Sequence, residues 1–277
     1  MISVSIVTYN NSIQEVRRCL SDFILHPLIN ELVICENSEG LLLDENELSQ
    51  ISNKIKYVPN PQNTGYGAGH NKAISCLSSN SKYHVVMNLD VVVNAVTFQK
   101  LFNFMESDSS VIHVMPKILN HDGSVQRLCK RLPTPINLIA RRFIKSEKLI
   151  GKIDKKYTLS DYNYDYILDC PYLSGCFMFL KRSAFEDVGG FDERFFMYPE
   201  DIDLTRRLHE IGRTICYPYV SVIHEHGQAS YKSIKMLSIH ITGMTKYFNK
   251  WGWFFDSGRK KMNADLEQRI YLRKSMA

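Results

Sequence analysis

Over about the first 120 positions, short apolar runs alternate with stretches whose apolar residues recur at helical spacing. ISVSIVTYN (2–10) is rich in β-branched residues and reads as a buried strand. SIQEVRRCLSDFI follows it. Ser12 and Glu15 stand there at capping-box spacing, which predicts a helix start. ELVICEN (31–37) reads as a second strand, residues 44–51 as a polar helix, and IKYVPN (55–60) as a third strand. A glycine-rich loop then opens into a helix at GHNKAISCL (69–77). YHVVMNLDVVV (83–93) is a fourth strand ending in polar residues, VTFQKLFNFM (96–105) a helix, and VIHVMPKIL (111–119) a further strand. This β-α alternation predicts a parallel, doubly wound α/β sheet.

The second half is less regular. NHDGSV (120–125) predicts a hairpin turn. Residues 133–165 are mixed and basic and fit a mobile loop. YLSGCFMFLKR (172–182) reads as a strand, SAFEDVGGFDERFF (183–196) as a short helix and a Gly-Gly turn, and DIDLTRRLHEIG (201–212) as a helix closed by Gly212. TICYPYVSVIHEHG (214–227) reads as one or two strands. Near the end, Ile234, Leu237, Ile241, Met244, Phe248, Trp251 and Phe255 step by alternating threes and fours, which predicts one helix with a continuous apolar stripe. Such a helix either packs on the main body or lies on an anionic membrane surface.

Charge sharpens that choice. Residues 227–277 hold ten Lys/Arg and three Asp/Glu, so this part carries +7, and the remainder carries 24 minus 26, or −2. A basic end points to an anionic partner, a membrane surface or a nucleic acid, and no nucleic-acid motif accompanies it. No apolar run approaches the ~20 residues of a membrane span. The seven cysteines are scattered without a CxxC pair, and the chain opens directly on a strand-like run, so a cytoplasmic protein with reduced cysteines is expected.

Four stretches carry candidate chemistry. NLD (88–90) ends a strand where ligands of open α/β sheets bind, and Asn88 and Asp90 share one strand face, which suits a divalent cation or simply a capped turn. NPQNTGYGAGHN places Gly65, Gly67 and Gly69 in a loop, but His70 stands where a dinucleotide fingerprint needs glycine. VIHEHG puts His224 and His226 on one strand face, as metal ligands or ordinary polar residues. FMYPEDIDLTRRL sets Glu200, Asp201 and Asp203 at a helix start, with Pro199 fitting its first turn. The macrodipole favours acids there, and one aimed into a cleft can also act as a general base.

In order, VSIVTYN, CENS, NTGYGAGHN, MNLDV, the long block 174–212 and VIHEHG resemble the family 2 inverting glycosyltransferases of the GT-A fold, most closely the bacterial rhamnosyltransferases of O-antigen, capsule and cell-wall assembly. The resemblance implies a Rossmann-like, mostly parallel central sheet flanked by helices. It implies a domain over 1–230, with a nucleotide-sugar half to about residue 120, an acceptor half over 121–230, and a basic, aromatic helical extension over 231–277. Position by position, Thr8, Tyr9, Asn10 and Glu36 would line the nucleotide pocket, although the family usually has Asp where Glu36 stands. Asn63, Gly65 and Asn71 would form the loop over base and ribose, and Asn88 and Gly175 would complete the nucleotide-sugar site.

The metal motif's first acid is Asn88 here, so Mg²⁺ or Mn²⁺ would rest on Asp90, with His224, or else His226, as a later ligand. Asp201 matches the catalytic base, and Glu200 would orient it or bind acceptor hydroxyls. The implied partners are a nucleotide-sugar donor, dTDP-rhamnose or a UDP-sugar, and an acceptor that is polyprenyl-diphosphate-linked or an oligosaccharide. The basic extension implies an enzyme at the inner face of the cytoplasmic membrane. A non-catalytic nucleotide- or glycan-binding protein of the same fold is the alternative of another class.

Overall fold

The computed structural model describes residues 1–78, 80–137, 151, 155–225 and 234–275. His226, one of the two candidate histidine ligands, and much of the 133–165 segment lie outside the described residues.

The strands, in chain order, are β1 (Ile2–Thr8), β2 (Ile29–Glu36), β3 (Ile55–Pro59), β4 (Tyr83–Met87), β5 (Val91–Val92), β6 (Val111–Leu119), β7 (Cys129–Lys130), β8 (Leu168–Asp169), β9 (Tyr172–Leu173), β10 (Phe177–Lys181) and β11 (Arg213–His224). The helices are α1 (Ile13–Leu20), α2 (Glu45–Ile51), α3 (Tyr66–Ser75), α4 (Ala95–Ser107), α5 (Arg182–Asp187), α6 (Glu200–Ile211), α7 (Ile234–Trp251) and α8 (Ser257–Ser275). Helix starts follow the caps. Ser12 and Glu15 form the expected capping box, and Asp44 and Asn94 cap α2 and α4 through their side chains.

The main sheet runs β3-β2-β1-β4-β10-β6-β11-β5, with β8 on the far edge of β11. β3, β2, β1 and β4 are parallel, as the alternation predicts. The next neighbour is not β6 but β10, antiparallel to both β4 and β6. β10 is buried along four of its five residues, so its sequence has no alternation to reveal its neighbours. The consequence is functional: running against β4, it brings its leading turn, Gly175 and Cys176, to the carboxyl end of β4, where Asn88 N–H donates to Cys176 O at 2.9 Å.

Three further expectations change. α3 begins at Tyr66, not Gly69, so Gly67 and Gly69 are helical. A Cβ at Gly67 would stand 2.9 Å from Phe191, and one at Gly69 2.9 Å from Val7, so these glycines serve close packing. Gly212 ends α6 in extended backbone rather than a left-handed cap, and a Cβ there would meet Ile112 at 2.8 Å. Pro199 is the cap residue of α6, one position before its first turn.

The predicted tail helix is α7, which holds the stripe from Ile234 to Trp251 but ends before Phe255, and a second helix, α8, follows it. Gly252, at φ +99, turns the chain after α7, and its N–H closes on Phe248 O at 2.8 Å. Met244, Tyr247 and Phe248 pack with Phe195 and Ile202, beside the start of α6, and Leu266 of α8 enters the main core. Arg206 of α6 and Asp256 form a bidentate ion pair, 2.7 Å at both contacts and 3% exposed on either side, with the guanidinium 3.8 Å over the Trp251 ring. Phe254 and Phe255, on the connecting turn, are 78% and 97% exposed. None of the seven cysteines forms a disulfide and six are buried. Among the described residues no helix is long and apolar enough to cross a membrane.

Candidate active site

The carboxyl ends of β1, β2 and β4, the leading turn of β10, the end of β11 and the start of α6 meet at one edge of the sheet. β5 pairs with β11 in the register Val91↔His224, which sets His224 beside Asp90. His224 Nε2 lies 3.4 Å from Asp90 Oδ1 and 3.4 Å from Asn88 Nδ2. Gln126 grips the same histidine twice. Its Nε2 donates to His224 O at 2.7 Å, which turns its Oε1 toward His224 Nδ1 at 3.0 Å. The ring proton therefore belongs on Nδ1, and the Nε2 lone pair points toward Asp90. One carboxylate oxygen and one imidazole nitrogen suit a divalent cation that takes its other ligands from a diphosphate. Among the described residues no group of three or more His, Cys, Asp or Glu could hold a metal ion.

The three acids of α6 have three separate surroundings. Asp203 is fully buried and joined to Arg207 at 2.8 Å, Lys250 at 2.6 Å and Trp251 Nε1 at 2.8 Å, so it anchors α7. Asp201 accepts N–H bonds from Gly175 at 3.0 Å and Ile202 at 2.8 Å. Glu200 is 5% exposed, and its Oε2 has no partner. Burial pushes the Glu200 carboxyl up to about 8, and the Asp201 charge beside it adds to the rise. Burial also raises Asp201, but the two N–H bonds and the Lys130 ammonium oppose it. Burial raises both carboxyls, and the charge of each beside the other favours one proton on the pair, with Glu200 pushed up to about 8.

Gly175 belongs to this arrangement. A Cβ there would meet Asp201 Cβ at 3.0 Å, and its carbonyl accepts from the Tyr66 hydroxyl at 2.8 Å. Tyr66 and Lys130 were not singled out in the sequence. Lys130 lies over the rings of Tyr157 and Tyr172 on the acid side of the cleft. Gln126 was also missed. Nothing in its local pattern marks it, because its role depends on a partner 98 positions away.

On the nucleotide side the residues divide. Tyr9 is half exposed, and Asn10, at φ +56, hangs its N–H on Ser38 Oγ at 2.8 Å. Thr8 is buried with Oγ1 unpartnered. Asn63 accepts the Gly65 N–H at 3.3 Å. Gly65, at φ +96, lies so close to Phe196 that a Cβ would fall 2.2 Å from its carbonyl oxygen.

Two residues of the expected pocket are engaged within the protein. The Glu36 carboxylate is buried and accepts from Leu42 N–H at 2.7 Å, Leu43 N–H at 3.2 Å and the Tyr57 hydroxyl at 2.7 Å, so it clamps the following loop. Asn71 staples α3 to the Gly-Gly turn. Its amide donates to Phe191 O at 2.8 Å and accepts Phe191 N–H at 2.9 Å.

A family model described as Glycosyl transferase family 2 matches residues 3–189. The chain belongs to that family. A second model, described as N-terminal domain of galactosyltransferase, matches residues 155–229. This family 2 chain is 26% identical over 191 residues to the N-acetylglucosaminyl-diphospho-decaprenol L-rhamnosyltransferase of Mycobacterium tuberculosis, a match covering 64% of this chain and 60% of that one. It therefore spans only three fifths of the length of that relative. It is also 26% identical over 232 residues to the rhamnosyltransferase WbbL of Escherichia coli strain K12, covering 78% of this chain and 81% of the other. Among solved structures, the mannosyltransferase PcManGT from Pyrobaculum calidifontis, in complex with GDP-Man and Mn2+, superposes with a TM-score of 0.60 at 14% identity, over 98% of this chain and 70% of that one. That likeness identifies the GT-A fold, as expected from the sequence.

Proposed function

We propose that this family 2 chain is an inverting glycosyltransferase that moves L-rhamnose from dTDP-rhamnose to a lipid-linked acceptor in bacterial surface-glycan synthesis. The observation that carries the chemistry is the Asp201 carboxylate at the start of α6, held by the Gly175 N–H at 3.0 Å and the Ile202 N–H at 2.8 Å. The names of the two rhamnosyltransferase relatives support the donor, and the diphospho-decaprenol in one of them supports the acceptor class.

Asp201 takes the proton from an acceptor hydroxyl. That oxygen bonds to the anomeric carbon from the face opposite the diphosphate, the bond to the diphosphate oxygen breaks, and the configuration inverts. No covalent sugar–enzyme intermediate is needed. Lys130 opposes the burial penalty on Asp201 and so favours its charged form. Asp90 and His224 would hold Mg²⁺ or Mn²⁺, which supplies offsetting charge for the diphosphate. The extension would rest on the inner face of the cytoplasmic membrane.

The test is release of nucleoside diphosphate from a panel of dTDP-, UDP- and GDP-sugars, with a prenyl-diphosphate GlcNAc acceptor and an Asp201→Asn control. Release from dTDP-rhamnose, lost by at least about a hundredfold in the control, is expected. Release from a UDP-sugar alone corrects the donor. Undiminished release in the control removes Asp201 as the base.

A further inference from the structure

The loop that leads into α6 and one face of α7 enclose a pocket of about 140 Å³. Arg194, Phe196 and Met197 line it from the loop, and Ile239, Thr242 and Lys246 from the helix at successive turns. It is formed by a close approach: at Gly243 the α7 backbone meets the loop, where a Cβ would fall 1.9 Å from Tyr198 O. The loop is tied on its other side as well, since Phe196 O accepts the Tyr66 N–H at 2.9 Å beside Gly65. Phe196 is thus a shared wall, with the glycine loop of the nucleotide side on one face and this pocket on the other.

The lining has two chemistries. The Arg194 guanidinium is paired with Asp192 at 2.8 Å, so Lys246, whose Nζ donates to Arg194 O at 2.8 Å, is the cation that the rim offers an anion. Phe196, Met197 and Ile239 are apolar. A site that is cationic on one side and apolar on the other matches an anionic group attached to hydrocarbon. The pocket also lies at a productive distance. Met197 is four residues before Asp201, so their Cα atoms are at most about 14 Å apart, a reach that one sugar ring and a diphosphate can bridge.

We propose that this pocket holds the diphosphate and the first isoprene unit of a prenyl-diphosphate-linked acceptor, with the acceptor sugar directed toward Asp201. The assignment rests on the acceptor class proposed above. It also gives α7 a part in substrate recognition, beyond its packing on the catalytic helix.

The test uses the full chain and two variants at exposed positions, Thr242→Trp, which fills the pocket, and Lys246→Ala, which removes a cation. Farnesyl diphosphate is the calorimetric probe, measured with saturating dTDP present. Both variants are expected to bind it at least about tenfold more weakly than the wild type. Turnover adds a second reading: KM for a prenyl-diphosphate GlcNAc acceptor rises about tenfold, while kcat, donor KM and KM for an alkyl GlcNAc glycoside stay unchanged. The proposal is overturned if dTDP displaces farnesyl diphosphate, if both variants bind it as the wild type does, or if both acceptors suffer equally. If the wild type transfers no sugar yet the variants lose farnesyl diphosphate, the pocket stands and the transferase reading fails.

Discussion

Glu200 and Asp201 are neighbours with the same functional group, and only their surroundings distinguish them. Asp201 receives two backbone N–H bonds, whereas one Glu200 oxygen is buried without a partner. The Glu200 carboxyl is raised from 4.5 to about 8, so the fold favours its protonated form. The stability this gives is full below about pH 4.5 and is lost as pH rises toward 8. Glu200→Gln should therefore flatten the decline of the urea midpoint across that window, and should erase an inflection near pH 8 in kcat. A variant with the wild-type pH profile would show that Glu200 carries no such proton. At the second centre, Gln126 holds His224 through two hydrogen bonds. Gln126→Leu should weaken Mn²⁺ binding by about 10–100-fold in calorimetry. An unchanged affinity would mean that His224 is not the ligand.

At the scale of elements, α6 is gripped along its first two turns. Gly175 meets its first turn, and α7 with the following bend grips Asp203 and Arg206. The Arg206–Asp256 pair is nearly inaccessible, so removing one partner leaves a buried charge. Asp256→Ala should cost about 3–5 kcal/mol in urea unfolding. Replacing both partners, Arg206→Leu with Asp256→Leu, should recover most of that loss, because no unpaired charge remains. If the double variant is as unstable as the single one, packing against Trp251 rather than charge pairing holds the joint. The extension therefore behaves as part of the catalytic body, which a stripe of apolar residues alone cannot tell from a membrane-lying helix.

For the whole molecule, the +7 of the last 51 residues and the two exposed phenylalanines occur together. Phe254 and Phe255 lie on the turn between α7 and α8, close in sequence to Lys260 and Lys261, which are exposed as well. Vesicles containing phosphatidylglycerol should sediment the protein at low salt, less so at high salt. Phe254→Ser with Phe255→Ser should abolish that sedimentation while thermal unfolding is unchanged. Sedimentation that survives the double change would put the membrane contact elsewhere or remove it.

What the sequence alone determined is local or periodic. Strand runs, the capping box of Ser12 and Glu15, the acids of α6 and the order of motifs all depend on residues within a few positions of one another, where side-chain chemistry and backbone preference act directly. Through the family they resemble, the motifs implied a common site for Asp90, Asp201 and His224. What the tertiary structure decided involves partners far apart in the chain. β10 enters the sheet against β4 and carries Gly175 to Asp201. Asn71 is engaged by Phe191, 120 positions away, and Gln126 by His224, 98 away. Glu36 turns to its own loop because burial requires every oxygen it brings to find a donor. The same requirement gives the three acids of α6 different surroundings: Asp203 is paired with cations, Glu200 keeps one oxygen without a partner, and Asp201 is held by two N–H groups.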